Sequence, residues 1–175
     1  MPNNRQTQLT MAVVFFLAAS PLCAFQNEPT GFRQIIWGAS YDGFAGELTR
    51  GGTQKPEAPT QMYRRSNENL NLGGATLESV FYTFYKGRFY RAFLTSTTAP
   101  ASRAAFLNAF RTQFGPPSQP NRFIERYFWN GSIAQILVNC ESQTDGCNAI
   151  IQSTAIFEEQ NADDAKKAKE AVKDF

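Results

Sequence analysis

Residues 77–95 read LESVFYTFYKGRFYRAFLT, and their pattern decides the fold. Aromatic and β-branched side chains run up to Tyr85, meet Lys86-Gly87 and run out again, which is the signal of a two-residue β-hairpin. With that turn, Tyr85 faces Arg88, and alternation puts Val80, Tyr82, Phe84, Phe89, Arg91 and Phe93 on one face of a sheet. The opposite face takes Phe81, Thr83, Tyr85, Arg88, Tyr90 and Ala92. Both faces are aromatic, so one is expected to meet a helix and the other to be partly covered by chain, tail or partner.

Working outward, residues 122–140 form a second hairpin that turns at Asn130-Gly131. Phe123, Tyr127, Trp129, Ala134, Ile136 and Val138 line one face with Glu125 among them, and Ile124, Arg126, Phe128, Ile133, Gln135 and Leu137 line the other. Asn130-Gly131-Ser132 also spells an N-glycosylation acceptor, which the turn explains without sugar. Residues 32–37 (FRQIIW), bounded by Gly31 and Gly38, read as a first strand, and residues 148–157 as a last one. Between the hairpins, Phe106, Leu107, Phe110 and Phe114 recur at helical spacing. Pro100 suits the first turn of that helix, and Gly115-Pro116-Pro117 stops it. Ser40 can cap an earlier helix with Phe44, Ala45 and Leu48 on one face, although Gly43 and Gly46 inside it lower its propensity. The polar loop at 51–60 lacks the glycine spacing and the Lys-Ser/Thr ending of a phosphate cradle.

These elements make an α+β protein: an antiparallel sheet meander with two amphipathic helices packed on it and a C-terminal helical tail. The expected organisation is one domain at 25–158 followed by a charged tail at 159–175. The tail places Asp163 and Asp164 before Lys166, Lys167 and Lys169, the order a helix dipole prefers. Its apolar stripe of Ala165, Ala168, Val172 and Phe175 is thin, so a loosely docked or frayed helix is expected.

The first 24 residues have the layout of a secretory signal peptide. Arg5 precedes an apolar run from Leu9 to Ala19, then Ser20-Pro21 and the small Ala24. The run is too short to cross a bilayer, so no transmembrane segment is expected in the mature chain. Lipidation is not expected, because Ser20 and Leu22 precede Cys23 in the reverse of the lipoprotein order. Cys140 and Cys147 then remain, separated by a polar, turn-rich stretch, and in an oxidising compartment they are expected to form a disulfide.

The chain contains no histidine. That removes Ser-His-Asp and Cys-His nucleophiles, histidine-bearing metal sites and the usual general base, so no cofactor and no metal are expected. Glu78 and Glu125, the acids between Asn69 and Cys140, are the remaining candidates for paired-carboxylate chemistry. A formal charge of +2 gives no field that argues for nucleic acid. That small total hides polarity. Residues 64–126 carry nine basic side chains and three acids, whereas residues 141–175 carry eight acids and four lysines. The basic stretch interleaves arginine with aromatics, and Arg64, Arg65, Arg88, Tyr90, Arg91, Arg126 and Trp129 are the candidate binding residues.

The succession FRQIIWG at 32–38 with Ser40 after it, YTFYKGRFYR at 82–91, FRTQFGPP at 110–117 and RYFWNG at 126–131 resembles exported proteins of Gram-negative bacteria that have no assigned activity. The resemblance implies an initial strand ending in Trp-Gly, then a helix and an antiparallel sheet, and it carries over no catalytic residue. The expectation is therefore a periplasmic or secreted, non-enzymatic binding domain whose partner is a protein or an anionic envelope polymer. An inhibitor or immunity-type protein against a secreted enzyme is the alternative, and a carboxylate-dependent glycan hydrolase the third.

Overall fold

The computed structural model describes residues 25–140 and 146–172, so the expected signal peptide lies outside the described residues. In chain order the elements are β1 (Gly31–Phe32), β2 (Ile35–Ile36), a 3-10 turn (Tyr41–Phe44), β3 (Leu48–Arg50), β4 (Thr60–Arg65), β5 (Asn71–Leu72), β6 (Ala75–Tyr85) and β7 (Arg88–Ser96). They continue with α1 (Pro100–Phe114), β8 (Arg126–Asn130), β9 (Ala134–Asn139), β10 (Asn148–Ser153) and α2 (Thr154–Ala171). Strands β3 to β10 make one antiparallel sheet in the order β3-β4-β6-β7-β10-β9-β8, with β5 paired to β6. The class is α+β, as the alternating aromatics and the single strong helical stripe imply.

One face of this sheet is the core face. Val80, Tyr82, Phe84, Phe89, Ala92, Leu94, Trp129, Ile136, Val138 and Ile151 are buried there. Helix α1 covers it with Phe106 and Phe110, whose rings lie 5.1 Å apart, and Phe110 reaches to 6.0 Å from Trp129. The hydroxyl of Ser102 donates to the carbonyl of Thr76 and accepts from its N–H, which pins α1 to β6. Gly115 follows at φ 79°, the left-handed region where glycine is favoured, and ends the helix.

Several local expectations are corrected. Residues 32–37 do not form one strand: β1 and β2 pair with each other, Phe32 opposite Ile35, across Arg33 and Gln34 at φ 45° and 72°. Both turn residues sit in the left-handed region with side chains present, held there because Ile35 is wholly buried and Trp37 stacks on Phe89 at 5.1 Å. Replacing Gln34 by glycine should relieve that strain and raise stability by about 1 kcal/mol, seen as a higher urea midpoint. An unchanged or lower midpoint would contradict the turn.

The helix expected after Ser40 is a single 3-10 turn, capped by the Ser40 hydroxyl accepting from Asp42 N–H, and Leu48 belongs to β3. Gly43 and Gly46 leave it too little propensity to continue. The second hairpin does not turn on Asn130-Gly131 alone. Asn130 pairs with Gln135, and the Glu28 carboxylate, arriving from the N-terminal segment, accepts from the N–H groups of Ile133 and Ala134. Residues 122–125 lie before β8, which leaves Phe123 82% exposed rather than on the inner face. The last strand stops at Ser153, whose hydroxyl caps α2 by accepting from Ile156 N–H, so residues 154–157 are helical.

Helix α2 is docked along its first half. Ile156 and Phe157 pack with Tyr85 and Tyr90 on the sheet's outer face. Tyr85 donates to Asp163 at 2.6 Å, Lys86 reaches Asp163 at 2.5 Å, and Arg88 pairs with Glu159 at 2.6 Å. Bonds from Lys86 and Tyr85 hold the Asp163 carboxyl below its ordinary range, and Arg88 with Lys86 does the same to Glu159. A carboxyl whose folded pKa is depressed stabilises the fold above its unfolded value, and that contribution is lost as pH falls through the folded one. The amides of α2 should therefore lose hydrogen-exchange protection as pH falls below the ordinary carboxyl range of about 4, while those of β6 and β7 keep theirs. The double variant Glu159→Gln/Asp163→Asn should remove this pH dependence, and equal loss in helix and sheet would contradict local undocking.

Candidate functional site

The site begins with one extra residue. Across the β6–β7 hairpin, Tyr85 pairs with Arg88 and Phe84 with Phe89, but Thr83 then pairs with Arg91. Tyr90 is the unpaired residue of a β-bulge, and beyond it β7 shows the opposite faces from those that simple alternation gives. Ala92 and Leu94 thus turn to the core, and Arg91 and Phe93 turn outward. Strand β10 ends its pairing with β7 at Arg91, and the freed N–H and C=O of Phe89 bond Ala39 and Gly38 instead.

The flip aligns an apolar row across five strands on the outer face. Phe81 pairs with Phe93, Phe93 with Ile150, Ile150 with Leu137, and Leu137 with Phe128. All five side chains are half-buried. The flanking row on one side holds Ser79, Thr95, Asn148, Asn139 and Arg126, and that on the other holds Met62, Thr83, Arg91, Gln152 and Gln135. No carboxylate stands in these three rows. Arg64 closes the β6 end, its guanidinium 4.3 Å above the Phe81 ring, and Arg126 stands at the β8 end.

The expected binding residues part company here. Arg64 and Arg126 do share the outer face and are exposed. Arg65 points to the other side of β4, over the Tyr82 ring at 5.3 Å and 3.3 Å from Glu47. Arg88 is taken by Glu159. Tyr90 is wholly buried beneath α2, and Arg91 lies between the Tyr90 and Phe157 rings with its Nε donating to Gln152. Burial pulls the Arg91 guanidinium below its ordinary value. Trp129 is a core residue whose indole N–H donates to the Gly115 carbonyl at 3.0 Å. Tyr90 and Trp129 are therefore corrected from binding to structural roles. Phe128 and Leu137 share a face by simple alternation, but the full row is not legible in the sequence, because Phe93 comes level with Phe81 only through the bulge, whose one trace is the Arg-Phe-Tyr-Arg run.

Paired-carboxylate chemistry is not assembled from the acids that remained available for it. Glu78 lies on β6 and Glu125 just before β8, four strand spacings apart, about 19 Å, against the roughly 5–10 Å that glycoside hydrolysis needs. Glu125 instead lies 3.5 Å from Arg103. A groove of about 580 Å³ between α1 and the β1–β2 hairpin is lined by Phe32, Leu72, Ala109 and Phe114, with Arg33 its charged member. Arg33 is paired with Glu68. Among the described residues no group of three or more acids or cysteines is placed to hold a metal, and no helix is long and apolar enough to cross a membrane. No family model, curated protein or solved structure matches this chain.

Proposed function

We propose that this chain is an exported, non-enzymatic interaction domain of the bacterial envelope, and that it holds a protein or an anionic polymer on the outer face of its sheet. The observation that carries the reading is the apolar row bracketed by Arg64 and Arg126 with no carboxylate in the three rows around it. Half-open apolar rows of this extent on a sheet face mark contact surfaces, and arginines at their ends add attraction for negative charge. Export is supported by the layout of residues 1–24 and by the Cys140–Cys147 disulfide, which oxidising compartments favour.

The double variant Arg64→Glu/Arg126→Glu should reduce capture of envelope components by about tenfold while leaving the melting temperature near that of the parent. Both side chains are exposed, so their reversal tests the surface rather than the core. Unchanged capture would sink the reading. N-terminal sequencing of periplasmic protein should begin at Phe25.

A further inference from the structure

The layer that covers the sheet's core face has a gap in it. Helix α1 packs against β6 and β7, and β1 packs against β10. Between α1 and the β1–β2 hairpin the groove of about 580 Å³ goes down to Phe110 and Ile151, core residues only 2% and 4% exposed. Protein interiors are close-packed and leave few voids larger than a water molecule. An opening floored by core side chains is therefore a built feature, and its volume falls within the roughly 300–1,000 Å³ of small-molecule sites.

The walls are set by the chain itself. Where α1 meets the β5–β6 turn, Gly73 sits at φ 57°, and a Cβ there would lie 2.7 Å from that of Ala109. Only glycine lets the turn come so close to the helix. The facing wall is the hairpin held by Arg33 and Gln34 in left-handed conformations, backbone strain of the kind that collects at ligand clamps.

The lining selects the occupant. Phe32, Leu72 and Phe114 present apolar walls, and the exposed Asn108, Thr112 and Gln113 offer hydrogen bonds from α1. Arg33 is the one charged lining residue, and its guanidinium is already held by Glu68 and by the Asn71 carbonyl. A charged ligand would lose its water against walls that offer no unpaired charge in return. A peptide segment fares no better, because its backbone N–H and C=O groups would be buried against apolar side chains. From Asn108 to Phe114 the helix runs about 9 Å, the scale of a medium alkyl chain or of two fused rings.

We propose that this groove binds an uncharged amphiphilic small molecule. Its alkyl or aromatic body lies on Phe110 and Ile151, and its one hydrogen-bonding end meets Asn108, Thr112 and Gln113. The site is on the core side of the sheet and is independent of the outer face.

N-phenylnaphthylamine, an uncharged aromatic amine that fluoresces in apolar surroundings, is the probe. Its emission should rise and saturate at one molecule per chain. Octanol should displace it at about a tenfold lower concentration than octanoate or octylammonium. Thr112→Trp and Gln113→Trp place an indole in the groove from exposed positions on α1. Each should weaken the probe by about tenfold and leave the urea midpoint near that of the parent. No saturable rise in emission would overturn the proposal, as would binding insensitive to both variants, which would put the probe elsewhere. Displacement by octanoate or octylammonium as readily as by octanol would overturn it too, because the groove would then be recognising charge.

Discussion

Replacing Trp129 by alanine should destabilise the protein by about 4 kcal/mol, near the top of the range for truncating a buried aromatic. The indole is 2% exposed, packs 6.0 Å from the Phe110 ring, and donates to the Gly115 carbonyl where α1 ends. Truncation removes the apolar contacts, leaves a cavity between β8 and α1, and strips a buried carbonyl of its donor. Trp129→Phe keeps most of the volume and loses the hydrogen bond, so it should cost only about 1–2 kcal/mol. Urea unfolding checks both values, with an unchanged slope and a lower midpoint expected in each case. If Trp129→Ala cost less than about 1 kcal/mol, the tryptophan would not be part of the core. The same pair of variants separates stability from binding, because any loss of capture should disappear at a temperature where the variant is folded.

Trp129 also marks how far residue patterns alone can go. Its face within the strand was legible, since Tyr127, Trp129, Ala134, Ile136 and Val138 are all buried together as alternation requires. Which of the two faces meets the helix was not, because both carry aromatics and the choice depends on α1 packing across β6. The turn at Lys86-Gly87 was readable from local chemistry, and both residues take the positive φ it demands. The bulge at Tyr90 was not, because it is set by contacts distant in the chain: α2 burying Tyr90, and segment 38–39 bonding Phe89. Everything on β7 beyond the bulge therefore changes face, and the candidate site changes with it. Arg91 and Tyr90 go beneath a helix, and Phe93 joins the outer row. Arg33-Gln34 is the converse case: nothing in those two side chains announces a turn, and tertiary packing of Ile35 and Trp37 imposes one.

Removing the disulfide by Cys140→Ala/Cys147→Ala should lower stability by about 2–3 kcal/mol. The bridge closes an eight-residue ring between paired strands, and the chain-entropy cost of closing so short a loop is about 2.5 kcal/mol. Its surroundings are tied to β7, to the segment before β8 and to α1. Cys147 N–H donates to the Ser96 hydroxyl, Ser96 N–H donates to the Cys147 carbonyl, Cys140 N–H donates to the Glu125 carbonyl, and Arg103 of α1 donates to the Cys140 carbonyl at 2.7 Å. Gly146 is equally committed, since a Cβ there would lie 1.8 Å from the Ser96 carbonyl oxygen. Dithiothreitol should lower the urea midpoint of the parent to that of the variant, and should leave the variant's midpoint where it was. A parent insensitive to reductant, or two titratable thiols in the exported protein, would remove both the bridge and its support for an oxidising compartment. The effect should extend to the outer face, because Asn139 and Asn148, the pair next to the bridge, adjoin Leu137 and Ile150 on β9 and β10. With the ring open, that end of the hairpin loses its covalent register lock, so a ligand on the apolar row should bind more weakly to reduced protein even where the sheet remains folded.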